Sequence, residues 1–337
     1  MSDSIRLAHG FGGTLSLELL DKVILPGLRG VDGHEVTLDA AVLDSLAPPV
    51  VVSTDSFTIS PRFFPGGDIG SLAVAGTVND IVMMGAKPQY LSLGLILEEG
   101  LPLDDLRRIM TSIGETCRTT GTTVVTGDTK VVERGATDGI FINTTGFGTQ
   151  VFGPVGPSEI RGGDALILTG TLGDHGAAIL NARERLGFSR TLKSDCAPLH
   201  ELIANAAAAA GPGLHALRDP TRGGIAATLN EFAVDTGLDI IIREETIPIQ
   251  PDVAAFLEVL GLDVFTLANE GKALLFLTPE CAGATLDALH NHPLGRDAAV
   301  IGTVEKSRRS GRVILETAIG TRRILDVPLE AGLPRIC

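Results

Sequence analysis

Short apolar runs recur along the chain, and most of them stop at a glycine turn bearing an acidic or amide side chain. That punctuation reads as a globular protein with many tight turns, neither disordered nor collagenous, with polar glycine motifs at strand–helix junctions. "PPVVVSTDSF" reads as a buried strand entering a polar loop. "GGDIGSLAVAGTVNDIVMMGAKP" opens on a glycine turn, continues as an apolar helix and is stopped by Gly85 and Pro88. "QYLSLGLIL", "TTVVTGDTKVV" and "GIFINTTGFGTQV" are β-rich. "PLDDLRRIMTSIGETCRTTG" is an amphipathic helix with acidic residues in its first turn and a closing glycine. Glycine and proline concentrate over 151–163, and a second series of strands and helices comes after them, from "ALILTG" through "DPTRGGIAATLNEFAVDTG" to "GKALLFLTP". This predicts a first domain over 1–155, a second over 156–306, and a strand with a mobile tail over 307–337. Periodicity alone gives two α/β-type halves.

At 337 residues there is chain enough for two cores. A formal charge of −14 argues against nucleic-acid or anionic-membrane partners, which need a basic footprint. An anionic ligand needs that repulsion relieved locally, and divalent ions held by some of the 41 acidic residues serve that end. "LIANAAAAAGPGLHAL" is broken by Gly-Pro-Gly and carries Asn205 and His215, so an Ala-rich helix is expected there rather than a membrane span. "MSDSIRLAHG" lacks the basic and apolar regions of a signal peptide. Cys117, Cys196, Cys281 and Cys337 are scattered without CxxC spacing, which fits reduced thiols in the cytoplasm.

Five stretches set acidic or amide groups beside glycine or a strand end: "HGFGG", "STDSF", "GGDIG", "TVNDI" and "GDTKVVE". A glycine-flanked Asp is by itself a common turn residue. Asn79 and Asp80 are harder to explain so, because a carboxylate in an apolar helix is costly unless exposed or paired. Gly76 stands one turn away on the same face and leaves room beside Asp80. Asp55, Asp68, Asp80 and Asp128, with Glu133, are candidate ligands for Mg²⁺, which prefers oxygen and bridges carboxylates to phosphates. Neither GxxxxGK[ST] nor a dinucleotide-type GxGxxG is present, so any nucleotide is held another way.

The ordered series "HGFGG … STDSF … FFPGGDIG … GTVNDI … GAKP … TGDTKVV … TGTLGDHG … DPTRGG … ANEGK … PRIC", from about residue 5 to 337, resembles the HypE carbamoyl dehydratases. These hydrogenase maturation factors belong to the superfamily of aminoimidazole ribonucleotide synthetase and selenophosphate synthetase. The selenophosphate branch carries a reactive Cys or selenocysteine in its first glycine loop; here the only cysteine before residue 196 is Cys117, in a predicted helix. The resemblance implies a two-domain α+β synthetase fold. The first domain dimerises through its sheet into a barrel-like core, with an α+β second domain and an extended tail after it. It implies ATP and Mg²⁺ as cofactors, and as partners the carbamoyltransferase HypF and the HypC–HypD iron-cyanation complex.

For the residues, the resemblance implies a reaction on the protein's own tail. HypF loads a carbamoyl group on the sulfur of Cys337, and ATP then drives its dehydration to a thiocyanate, the source of cyanide for nickel–iron hydrogenase. Glu270 in "ANEGK" matches the family's candidate base, and Lys130 in "GDTKVV" a lysine assisting that step. His9, Gly12, Gly13, Asp55, Gly66, Gly67, Asp68, Asn79, Asp80, Asp128, Asp219 and Arg222 fall on motifs expected to hold ATP, with Asp55, Asp68, Asp80 and Asp128 on the metal. Phe11 stands where a small residue such as Ser is expected, and His175 reads as structural. From Thr321 to Cys337 an extended chain spans roughly 55 Å, ample to cross a domain. Two other readings stay open: a synthetase of the same superfamily acting on a small molecule, which leaves Cys337 dispensable, and a non-catalytic carrier of a tail thiol.

Overall fold

The computed structural model describes residues 4–10, 14–28, 30, 46–188, 191–307, 311–327 and 335–337. The valine, serine and threonine of Val50–Phe57 form strand β1, whose alternate residues face the core. Next come helix α1 (Ile69–Met83), strand β2 (Ala86–Glu98), helix α2 (Leu103–Thr120), and strands β3 (Thr123–Val132) and β4 (Ile140–Gln150). The sheet runs β1-β4-β2-β3, with only β2 and β3 parallel. Helix α1 packs on one face of this sheet and α2 packs on α1. Buried from both sides, α1 is apolar around nearly its whole circumference, whereas α2 keeps a polar outer face. The space beside Gly76 is taken by the Phe57 ring, which a Cβ there would meet at 3.0 Å. Close packing of α1 on the sheet is the use of that glycine.

The second half contains β5 (Ala165–Leu168), α3 (Asp174–Arg183), α4 (His200–Ala210), β6 (Leu214–Arg218), α5 (Gly224–Thr236) and β7 (Leu238–Arg243). It continues with α6 (Pro251–Leu260), β8 (Leu274–Leu277), α7 (Pro279–His290), β9 (Ala299–Lys306), β10 (Val313–Glu316) and β11 (Arg322–Ile324). The strand order is β11-β10-β7-β9-β5-β8-β6, antiparallel except where β10 lies parallel to β7. Two antiparallel-dominated sheets make the architecture α+β. The α/β reading of the halves fails because periodicity identifies a strand–helix alternation without fixing the direction in which the chain returns. Strands β10 and β11, from the segment grouped with the tail, extend the second sheet.

Residues of α4 and α7 belong to the same apolar core as α1, α2 and the first sheet, so hydrophobic burial runs unbroken between the halves. Asn79 of α1 is the polar fastener in that seam. Its carboxamide oxygen accepts from Leu199 N–H at 2.8 Å, and its nitrogen donates to the carbonyls of Ala197 at 3.1 Å and Glu270 at 3.5 Å. With the side chain 1% exposed, Asn79→Ala strands those groups away from water. It is expected to cost about 1–3 kcal/mol, read as a lower urea midpoint with unchanged slope.

Candidate active site

The seam between the halves gathers the carboxylates of Asp55, Asp80, Asp219 and Glu270 with the guanidinium of Arg222 and the thiol of Cys337. Asp55 and Ser53 lie on the face of β1 that looks toward α1, and the Ser53 hydroxyl donates to Asp80 Oδ2 at 2.6 Å. Asp80 is pushed up from the ordinary carboxylate range, first by burial and then, against the Ser53 bond, by the charge of Asp55. Asp219 is raised by burial and by Asp80. These carboxylates crowd one another, with Arg218 and Arg222 as the nearby cations.

Glu270 is the most deeply placed of the four, 3% exposed, and its Oε1 has no hydrogen-bond partner among the described residues. Burial raises its pKa well above the usual value, with further contributions from Asp219, Asp195 and Asp55 against Arg222. A buried carboxyl that lacks a partner is poised to take up a proton.

Residues 335–337 lie in this seam. Thr58 N–H donates to the main-chain oxygen of Cys337 at 3.0 Å, and Arg183 Nη2 to the carbonyl of Arg335 at 2.6 Å. The fully buried His175 donates through Nε2 to the carbonyl of Ile336 at 2.7 Å, while its Nδ1 accepts from the Ser194 hydroxyl, also at 2.7 Å. Arg335 donates through Nε to the carbonyl of Thr58, pairs with Asp138 at 2.8 Å and lies over the Phe141 ring. The thiol so delivered is 3.5 Å from Arg222 Nη1, and Arg222 is 3.9 Å from Asp55. Burial and then the charge of Glu270 push the Cys337 thiol up to about 12, against the pull of Arg222.

Other residues expected at the site lie elsewhere in the chain. Asp68 caps α1, its Oδ1 accepting from Gly70 and Ser71 N–H at 2.8 and 3.0 Å. Twelve residues of helix put it about 18 Å along the axis from Asp80. Gly66 and Gly67 form a hairpin against the second half: Gly66 has φ +100°, and a Cβ there would lie 2.5 Å from the carbonyl oxygen of Ser194. Asp128 and Lys130 pair with each other at 3.1 Å on the exposed outer face of β3, the sheet edge opposite β1. His9 is buried in a short turn packed beside β3, with Nδ1 accepting from Arg6 N–H at 3.1 Å, and burial lowers its pKa. Gly12 and Gly13 lie outside the described residues. One chain therefore does not gather the four carboxylates expected on the metal, and among the described residues no group of three or more ligands is assembled.

Two family models match: AIR synthase related protein, N-terminal domain, over residues 38–150, and AIR synthase related protein, C-terminal domain, over residues 161–314. The carbamoyl dehydratase HypE of Escherichia coli K12 is 46% identical, over 99% of this chain and 100% of its own length. The chain belongs to the HypE family of carbamoyl dehydratases. A crystal structure of HypE in complex with ATP aligns with a TM-score of 0.93 at 44% identity, covering 98% of this chain and 99% of that one. A HypE–HypF complex aligns with a TM-score of 0.80 at 45% identity, covering 83% of this chain and 90% of the other.

Sequence reasoning missed the seat of residues 335–337. His175 reads as structural because nothing in "GDHG" shows that its imidazole reaches a residue 161 positions away. Thr58, Arg183 and Asp138 carry no motif at all. Burial extends the pH range over which the docked Cys337 thiol stays protonated; that stabilisation is full below about pH 9 and lost as pH rises toward the folded value near 12. Alkylation of Cys337 at pH 8 is accordingly expected to be slow, and Asp138→Arg, which repels Arg335, to accelerate it about tenfold or more. Mass spectrometry of the tail peptide reads both.

Proposed function

We propose that the chain uses ATP and Mg²⁺ to dehydrate a carboxamide carried on the sulfur of Cys337 to a thiocyanate, the step that makes cyanide for nickel–iron hydrogenase. The observation that carries this reading is a buried Glu270, its Oε1 without a hydrogen-bond partner among the described residues, in the same seam as the Cys337 thiol that Arg222 approaches at 3.5 Å. A small-molecule synthetase gives the seated tail no purpose.

An amide oxygen is a poor leaving group, so the reaction needs it phosphorylated first. The carboxamide oxygen attacks the γ-phosphorus and ADP departs; the nitrogen then loses its two protons as the C–O bond breaks and phosphate leaves with the former amide oxygen. The overall balance is RS–C(O)NH₂ + ATP → RS–CN + ADP + phosphate + H⁺. Glu270 accepts a nitrogen proton, helped by a raised proton affinity. Arg222, 3.5 Å from the sulfur, faces the phosphate charge as it develops. Asp55 and Asp80, close enough for the charge of one to raise the other, would hold a divalent cation between the seam and the phosphates. Bound Mg²⁺ would supply charge neutralisation on the phosphates.

The remaining elements support a homodimer. Asp55, Asp80, Glu270 and Cys337 belong with the β1 edge of the first sheet, whereas His9, Asp128 and Lys130 lie at the β3 edge. The open face between carries Val50, Val52 and Ile96 exposed. Pairing two sheets about a two-fold axis sets β3 of one copy beside β1 of the other, bringing Lys130 and Asp128 to the neighbour's Cys337. HypF is the partner that loads the carbamoyl group and HypC–HypD the acceptor of cyanide. Four free thiols suit a reducing cytoplasm.

Carbamoylated Cys337 is expected to lose one water on incubation with ATP and Mg²⁺, seen as the mass of the tail peptide, and Asp80→Asn is expected to abolish the loss. A carboxamide that survives while ATP is hydrolysed would move the small-molecule reading ahead. For the dimer, Glu270→Gln and Lys130→Ala chains, each reduced to a small residual rate alone, should recover about a quarter of the wild-type rate on co-expression, because each mixed dimer then contains one intact site.

A further inference from the structure

The segment "ANEGK" that carries Glu270 is neither helix nor strand, yet a base must hold its carboxyl in place to a few tenths of an ångström. Its main chain is held chiefly by one side chain. Asp195 Oδ1 accepts from Glu270 N–H, and Oδ2 from Gly271 N–H, both at 3.2 Å. Lys272 Nζ lies 3.3 Å from the same Oδ2, so three successive residues converge on one carboxylate. The Asp195 side chain is 2% exposed and that of Lys272 11%.

The arrangement is shaped for this contact. A Cβ on Gly271 would lie 1.8 Å from the main-chain oxygen of Asp195, so only glycine allows the two segments to approach so closely. Asp174 braces Lys272 from the far side, at 3.7 Å, and is itself held by the Thr171 hydroxyl at 2.5 Å. From the opposite side, the carbonyl of Glu270 accepts from Ala197 N–H at 3.4 Å and from Asn79. A cavity of about 630 Å³ borders Asp174, Asp195 and Lys272.

A buried carboxylate and ammonium are an expensive way to secure a loop, because both ions lose their water. Stability alone is served as well by an apolar pair. Fixed direction is not: two N–H donors on one carboxylate set both the height and the rotation of the peptide plane that carries Glu270.

We propose that Asp195, supported by Lys272, is a positioning residue that aims the Glu270 carboxyl at the carboxamide nitrogen on Cys337. The inference rests on Glu270 being the base, and on no bond between Asp195 and the substrate. Asp195 acts through the main chain of Glu270, so its removal disturbs the proton-transfer step and leaves nucleotide binding intact.

The test is a double-mutant cycle on carbamoylated full-length protein with saturating Mg²⁺, monitoring ATP-dependent water loss from the tail. Asp195→Asn replaces an acceptor with an amide whose NH₂ faces Gly271 N–H and Lys272. It should lower kcat about a hundredfold while KM for ATP stays within about twofold. In the Glu270→Gln background the same change should lower the residual rate less than about twofold, since the group it aims is already gone. Gly271→Ala leaves every charge in place and displaces the segment; it should reproduce the loss in kcat with KM unchanged, which keeps the test open should Asp195→Asn fold poorly. Equal losses from Asp195→Asn in both backgrounds, or a full-rate Gly271→Ala, would overturn the positioning role. A Glu270→Gln protein as fast as wild type would instead remove the base reading itself.

Discussion

A buried carboxyl, one oxygen of which has no hydrogen-bond partner among the described residues, is the constraint on which the rest of this structure depends. Burying Glu270 uncompensated is unfavourable, and the fold tolerates it only because the surroundings fix it from several sides. Asn79 ties its carbonyl to the first half of the chain, Asp195 ties its amide to the second, and the shared apolar core holds the halves together. The site is a property of the seam. Neither sheet alone carries it.

The tail completes the seam. Its bonds run mainly to main-chain atoms of residues 335–337, with Arg335 the one side chain gripped by charge. A seat of that kind fixes where the sulfur lies without touching it, which leaves the sulfur free to carry a substituent. Arg222 is the exception, near enough to the thiol to register what it carries. The same guanidinium leans toward Asp55, so one cation connects the tail to the carboxylates of the seam.

Much of the fold is legible from local pattern. The strand at β1, the apolar α1, the amphipathic α2 and the Gly/Pro-rich junction near 151–163 all come from periodicity and turn chemistry, since each is decided by neighbours in sequence. Strand direction is not, because it depends on partners far along the chain, and the α/β reading of the halves fails there. The acidic residues of the site are visible as anomalies in apolar surroundings, as with Asp80, but their grouping is not. Asp68 and Asp80 share one helix and lie at its two ends. Asp55 and Asp128 share one sheet and lie at its two edges. His175, Asp195 and Asp138 act through contacts with residues 75 or more positions away, and no spacing reveals them.

The proposed chemistry turns on phosphate carrying away the carboxamide oxygen from Cys337. Loading Cys337 with a carbamoyl group bearing a heavy-oxygen label, and adding ATP and Mg²⁺, tests this in one step. The inorganic phosphate released is expected to acquire the label, one atom for each thiocyanate formed. Label recovered in water, with unlabelled phosphate, would contradict phosphoryl transfer to the tail and with it the mechanism drawn from this site.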